Sequence, residues 1–113
     1  MTAKTVINTT YSTLKAIGVV DSKSEFYKDW LNKSDSYIRV LNCKNLQPST
    51  NTLAVCSSKL KYYGDMLVNK SDKKRKGIGK EFIELSKNLD NAIIENSKKD
   101  WFEKYIHKCW IGN

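Results

Sequence analysis

The sequence predicts an all-α fold of four to five helices, followed by a C-terminal amphipathic helical extension. Apolar residues recur at intervals of three and four in every apolar segment, which is the spacing of one helix face. The 113 residues include one proline and five glycines, so signals for turns are widely separated. Runs of β-branched residues with alternating polarity, which would predict strands, do not occur in the sequence.

The first helix is predicted over about residues 3–17. Ile7, Tyr11 and Leu14 follow one another at steps of four and three, so they share a face. Gly18 is a typical residue at a helix C-terminus, because glycine adopts the left-handed conformation that often ends a helix. A short connection, 19–21, follows.

Two short helices are predicted next. Ser22 and Glu25 fit a capping box, in which the hydroxyl accepts from an early backbone N–H and the carboxylate reaches back to the cap. This predicts a helix over about 23–31. Ser34 is a second N-cap candidate, with Asp35 favourably placed near a helix N-terminus. The third helix is therefore expected from Asp35 to about residue 42.

The fourth helix follows a polar loop over 42–48. Ser49 is its predicted N-cap, and the helix should end near Gly64 or one turn later. Its apolar face is formed by Leu53, Cys56, Leu60, Tyr63 and Leu67.

Residues 70–80, here called the basic segment, mark a change in composition. They contain six basic residues and one acid, which supply +5 of the total formal charge of +8. Runs of charge are usually solvated and flexible, and Gly77 and Gly79 would add to that flexibility. We therefore expect a domain over 1–69, a basic linker over 70–80 and a C-terminal helical segment over 81–113.

The C-terminal segment carries a heptad-like seam. Its apolar residues recur at steps of four, three, four and three: Ile78, Phe82, Leu85, Leu89 and Ala92. The seam either pairs with a second copy, which we favour and which predicts a homodimer, or packs on the helix around Leu53 and Leu60 within one chain. A last amphipathic piece carries Trp101, Phe102, Tyr105, Ile106, Cys109 and Trp110.

The two short helices, with a polar break between them, suggest a helix-turn-helix. The stretch Ser24-Glu25-Phe26-Tyr27-Lys28-Asp29-Trp30-Leu31-Asn32-Lys33-Ser34-Asp35-Ser36-Tyr37-Ile38-Arg39-Val40-Leu41 resembles the lambda-repressor/Cro-like family. The segment Gln47-Pro48-Ser49-Thr50-Asn51-Thr52-Leu53 resembles the start of that family's fourth helix. The resemblance covers about residues 5–66. The family prefers a small residue in its second helix and glycine in the turn, and this sequence has neither. The turn in this sequence is also about one residue longer than the turn of the family.

The resemblance implies a DNA-binding role for the second motif helix, whose N-terminal half enters the major groove in this family. Base contacts would come from Ser34, Ser36, Tyr37 and Arg39, since arginine can donate two hydrogen bonds to guanine. Phosphate contacts would come from Lys33 and Lys44, with Lys28 beside them. The basic segment would add a phosphate-tracking arm through Lys73, Lys74, Arg75 and Lys76.

Other chemistry has little support in the sequence. The three cysteines, Cys43, Cys56 and Cys109, form no close pair, which favours a reducing cytoplasmic location without disulfides. His107 is the one histidine, so we expect no metal site, no cofactor and no enzymatic activity. The sequence shows neither an apolar run long enough to span a membrane nor an N-terminal signal peptide.

The sequence thus predicts a protein that binds double-stranded DNA sequence-specifically and acts as a transcriptional regulator, a repressor. The alternatives are a small protein-interaction module or inhibitor on a degenerate helix-turn-helix scaffold, and an RNA-binding protein that uses the basic segment and exposed aromatics. Arg39 and the basic segment favour nucleic acid, whereas Tyr27 and Asp35 favour a protein partner.

Overall fold

The computed structural model describes residues 2–105, and over that range the chain is all-α. This range contains five helices: α1 (Ala3–Ala16), α2 (Lys23–Trp30), α3 (Tyr37–Cys43), α4 (Thr50–Val68) and α5 (Lys73–Tyr105). The predicted fold class is confirmed. No helix within the described range is long and apolar enough to cross a membrane.

Side-chain caps fix the start of three helices. The hydroxyl oxygens of Thr2, Ser22 and Ser49 accept from backbone N–H groups three residues later, at 3.1, 3.2 and 3.2 Å. These bonds satisfy donors that have no partner within the helix. The capping box of α2 differs in one detail, because the Glu25 carboxylate accepts from the N–H of Asp21, one residue before the cap, at 2.9 Å.

The start of α3 differs from the prediction. Helix α3 begins at Tyr37, and its N-cap Ser36 makes no side-chain capping bond. The predicted cap, Ser34, instead accepts from the Tyr37 N–H through its carbonyl oxygen, at 3.1 Å. Asp35 is held by side chains of α2, which keeps it out of the helix. The connection between α2 and α3 therefore spans residues 31–36.

One hydrophobic core unites the described helices. Its largest fully buried side chains come from four helices and one connection: Ile7 and Leu14 in α1, Phe26 in α2, Leu53 and Leu60 in α4, Leu89 in α5, and Leu31 directly after α2. Each buried Leu or Ile stabilises the fold by roughly 1.5–3 kcal/mol relative to the exposed side chain. The core therefore extends beyond residue 69, the expected end of the first domain, and includes α5.

Helices α4 and α5 form an antiparallel hairpin, which overturns the expected linker over 70–80. Only residues 69–72 separate the two helices, and the chain is helical from Lys73 onward. Asp72 starts α5: its side chain accepts from the Lys74 N–H at 3.2 Å and its carbonyl from the Lys76 N–H at 3.0 Å. A local cap and packing against α4 thus override the tendency of like charges to remain in a solvated coil.

The seam of α5 packs inside the chain. Phe82, Leu85, Leu89 and Ala92 are buried in the same cluster as Leu53 and Leu60. The expected dimer seam is therefore part of the internal core, which was the second of the two sequence interpretations. Next to it, the Ser57 hydroxyl lies 2.8 Å from the Ser86 hydroxyl and donates to the Asp90 carboxylate, which fixes the register of α4 against α5.

Helix α5 also includes part of the predicted last amphipathic piece. It continues without a break through Trp101 and Phe102 to Tyr105. Its 33 residues rise about 50 Å, close to the longest molecular extent of 52 Å. The remaining residues of that piece, Ile106, His107, Cys109 and Trp110, lie outside the described range.

Candidate nucleic-acid interface

The outer surface of α3 presents Arg39 to solvent. Arg39 borders an open groove between α2 and α3, together with Asp35 and Asn42. Ser34 before the helix and Lys44 after it are also exposed. These three predicted contact residues therefore lie where a large partner can reach them.

Tyr37 is used mainly for packing. Its ring lies edge-on to Tyr27 with the centroids 6.3 Å apart, and its hydroxyl donates to Thr52 Oγ1 at 3.5 Å. The Lys33 ammonium lies 5.5 Å from the Tyr37 ring centroid, and Ser36 is half-buried. Tyr37 thus attaches α3 to α2 and α4, and Tyr37, Lys33 and Ser36 are all less accessible than Arg39.

The negative charge of Asp35 is balanced by neighbouring side chains of α2. Its carboxylate accepts from the Ser24 hydroxyl and forms an ion pair with Lys28, at 3.3 Å. Hydrogen bonds from Ser24 and then Lys28 lower the pKa of Asp35, so the carboxylate remains ionised at neutral pH. The repulsion that this carboxylate would exert on phosphate is reduced by Lys28, and Lys28 is correspondingly less free to bind phosphate itself.

The basic segment is exposed along its whole charged length. Its cationic side chains are Lys70, Lys73, Lys74, Arg75, Lys76 and Lys80, and all six residues are exposed. Asp72 forms a 3.8 Å ion pair with Arg75, and it is the one acid in the segment. Four of the cations occupy the first positions of α5, where the helix dipole is already positive. Their arrangement is therefore electrostatically unfavourable until an anion approaches.

The exposed cations around α3, Arg39 and Lys44, and the basic segment lie at opposite ends of α4. Tyr37 contacts Thr52 in the first turn of α4, whereas the basic segment follows its last residue, Val68. At 1.5 Å per residue, the helix rises about 24 Å between Thr52 and Val68. That distance corresponds to about seven base pairs of duplex DNA.

The structure also shows an apolar cleft between α2, α4 and α5 that the sequence did not indicate. We call it the aromatic groove; it is lined by Val19, Trp30, Tyr63, Met66, Leu67 and Phe82 and has a volume of about 410 Å³. Trp30 lies edge-on to Tyr63 and to Phe82, with centroid distances of 6.3 and 5.5 Å. The sequence spacing of Tyr63 and Leu67 predicts that both lie on one apolar helix face. Their position beside Trp30 could not be predicted, because it depends on how α2 packs against α4.

Both signs of charge border the aromatic groove. Glu25 and Asp29 lie on the α2 side, and Lys59 and Lys70 lie on the α4 side. The Lys59 ammonium is 5.1 Å from the Trp30 ring centroid and donates to the Asp29 carbonyl oxygen. Lys59 is thus engaged within the protein, and so is Glu25, whose carboxylate accepts from the Asp21 N–H. Asp29 and Lys70 supply the other two charges at the cleft.

No group of three metal-ligating side chains occurs in the described part of the chain. Burial raises the pKa of the Cys56 thiol to about 12, so this cysteine stays protonated in the core. Cys43 is exposed at the end of α3 as a free thiol.

The fold and surface define a small all-α protein with a strongly basic helix start and an apolar cleft. The chain belongs to a family of unknown function, DUF6626, whose model matches residues 7–102. That match includes all of α2, α3 and α4 and most of α1 and α5. No curated protein matches the chain. No solved structure matches it either.

Proposed function

We propose that this protein binds double-stranded DNA and acts as a transcriptional regulator, a repressor, in the cytoplasm. The observation that carries the proposal is the basic segment, in which six exposed cations surround a single acid at the start of α5. Phosphate would relieve their mutual repulsion and their conflict with the helix dipole.

In this proposal α3 supplies sequence preference. Arg39 is the residue best placed to contact base edges, because it is exposed on the outer surface of α3. Ser34, Ser36 and Tyr37 lie before and at the start of that helix, and Lys33 and Lys44 flank it as phosphate contacts. The basic segment, about 24 Å away along α4, would hold phosphates further along the same duplex.

A homodimer is part of this proposal, since two copies would contact two half-sites and strengthen binding. The α5 seam is not its interface, because that seam is buried within each chain. A different surface must therefore join the copies.

The aromatic groove favours a second candidate function, binding of a protein partner. Tyr63 and Met66 in the groove are 41% and 47% exposed, and Tyr62, whose ring packs edge-on to Tyr63 outside the groove, is 63% exposed. This is a concentration of apolar surface typical of interaction sites. In that case the basic segment would attract the partner at long range without fixing its orientation.

Salt titration of duplex binding tests the proposal. Replacing Lys73, Lys74, Arg75 and Lys76 by Ala should lower affinity for every duplex and reduce the log–log salt slope by up to about four. The matched control replaces four lysines outside the segment, giving the same change in net charge: Lys4, Lys15, Lys61 and Lys87. If both variants lose affinity equally, the segment has no special role. If neither the parent nor the control binds duplex DNA, the proposal is wrong, and tighter binding of RNA would favour the RNA alternative.

A further inference from the structure

Helix α5 reaches the core later along its length than any other described helix. The first buried residue is the first residue of α1, the third of α4, the fourth of α2 and the fifth of α3. In α5 it is the seventh, Gly79, and residues 73–77, here called the α5 start, are all exposed. Because buried contacts limit local opening, the α5 start has little besides its own backbone hydrogen bonds to keep it helical.

Electrostatics also act against a closed α5 start. Four cations follow one another over residues 73–76, and the first turn of α5 contains no acidic residue. Cations at a helix N-terminus oppose the helix dipole. The one local acid, Asp72, accepts from the Lys74 N–H and is also paired with Arg75. The other cations of the basic segment form no ion pair with a described acidic side chain.

The weakly held region ends where α5 meets the core. Ile78 packs against the core cluster, and Gly79 is buried. A Cβ added at Gly77 would meet nothing within 4 Å, so no neighbouring element supports the helix at that position. Glycine also has a low helix propensity. Local opening should therefore involve residues 73–77 and stop at Ile78.

The closed helix places three cations in a row. Lys73, Lys76 and Lys80 follow one another at steps of three and four, so they share one face of α5 over a rise of about 10 Å. Once the α5 start opens, these side chains no longer share a face. A chain of phosphates gains all three contacts together in the closed state. A ligand that binds one state more tightly shifts the equilibrium towards that state.

We propose that the α5 start opens and closes as a local unit, and that a chain of phosphates holds it closed. Without phosphate, the repulsion among its cations and their conflict with the helix dipole favour opening. With phosphate bound, the same charges stabilise the helix. This inference deepens the proposed function, on which it rests for the natural ligand, the phosphate backbone of duplex DNA.

Amide hydrogen exchange measured by NMR tests the proposal. The probe is inorganic tripolyphosphate, and sodium chloride at equal ionic strength is the reference. Without the probe, the amides of residues 76–78 should exchange faster than those of residues 84–89, which lie deeper in the same helix. At a probe concentration about ten times its dissociation constant, residues 76–78 should exchange about tenfold more slowly, because the probe binds the closed state. Residues 84–89 should be unaffected.

A charge variant and a matched control make the test specific. Lys73→Glu places an acid in the first turn of α5, where it is favoured by the helix dipole, and it removes one phosphate contact. Without the probe, residues 76–78 of this variant should exchange more slowly than in the parent, and the same probe concentration should slow them less. Lys61→Glu makes the same change in net charge at an exposed position on α4 and should respond to the probe as the parent does.

Three results would overturn the proposal. They are exchange at residues 76–78 that is as slow as at residues 84–89 without the probe, exchange that tripolyphosphate does not slow, and equal effects of Lys73→Glu and Lys61→Glu. A parallel titration with duplex DNA separates this proposal from the proposed function. Slowing by tripolyphosphate without duplex binding would support the opening unit and reject the DNA role. Duplex binding to an α5 start that is already closed would do the reverse.

Discussion

Gly64 on α4 and Gly79 on α5 bring the two helix backbones into direct contact. A Cβ added at Gly64 would lie 3.1 Å from the Gly79 carbonyl oxygen, and a Cβ added at Gly79 would lie 2.9 Å from the Gly64 carbonyl oxygen. At Gly79 the added carbon would also lie 2.8 Å from the Val68 backbone nitrogen. Because backbone atoms cannot move aside as a flexible side chain can, the hairpin requires a residue without a side chain at this point.

We therefore expect Gly79→Ala to destabilise the protein by about 1–3 kcal/mol through overpacking. The matched control is Gly77→Ala, two residues earlier in α5, where an added Cβ meets nothing within 4 Å. Because alanine favours helix over glycine, that control should gain roughly 0.5–1 kcal/mol. Urea denaturation followed by circular dichroism measures both free energies of unfolding. Equal stability of the two variants would contradict the close approach of α4 and α5.

The same glycines illustrate what the sequence could and could not predict. Next to five cations, Gly77 and Gly79 look like parts of a flexible linker, because the Gly79 contact is made with a residue on another helix. Local signals were sufficient elsewhere: the Ser22 and Ser49 caps act within four residues, and both helices start where these caps indicate. Long-range contacts mattered where the local signals did not suffice, as in the packing of α5 against α4.

The start of α3 and the aromatic groove also separate what local signals predict from what long-range contacts decide. Ser34 has the local character of an N-cap, but Asp35 is drawn to Ser24, which is 11 residues away in the chain, and the helix begins later. For the candidate interface, the exposure of Arg39 and of the basic segment follows from helix periodicity and charge. The meeting of Trp30 with Met66 does not, since it depends on how α2 packs on α4.

Charges introduced into the α5 seam should unfold the protein. Leu85 and Leu89 are 4% and 0% exposed and pack in the core shared with α4. A combined Leu85→Asp and Leu89→Asp variant buries two carboxylates without partners, so we expect loss of helicity and aggregation. The control is Lys87→Asp with Asn88→Asp, which alters exposed residues in the same turns. A helical, monomeric Leu85→Asp and Leu89→Asp protein would show that the seam is an interface between copies instead.

The two described cysteines should differ sharply in reactivity. Cys43 is exposed, whereas Cys56 is fully buried and its pKa is raised from 9.0 to about 12 by desolvation. Since the folded chain keeps the Cys56 proton where the unfolded chain loses it, this group's contribution to stability declines as the pH rises above about 9. At pH 8 a thiol reagent should modify Cys43 quickly and Cys56 only through unfolding. Peptide mass spectrometry of the parent protein over time distinguishes the sites, and rapid labelling of Cys56 would contradict its burial.

Removal of the Arg39 side chain should weaken binding to a preferred DNA site more than binding to random duplex. Arg39 is exposed on α3 and makes no ion pair with a described acidic side chain, so truncation should leave the free energy of unfolding nearly unchanged. If its guanidinium contacts a guanine, Arg39→Ala should lose about 1–3 kcal/mol at that site and relax preference at one base pair.

The matched control is Lys44→Ala, directly after the last residue of α3, which should weaken binding to all duplexes alike as a phosphate contact does. Selection of sites from a random duplex pool, followed by anisotropy titration of parent and variants, measures both effects. An equal loss on selected and random duplexes would make Arg39 a phosphate contact. Unchanged binding to both would remove α3 from the DNA interface and leave the basic segment as the sole support for DNA binding.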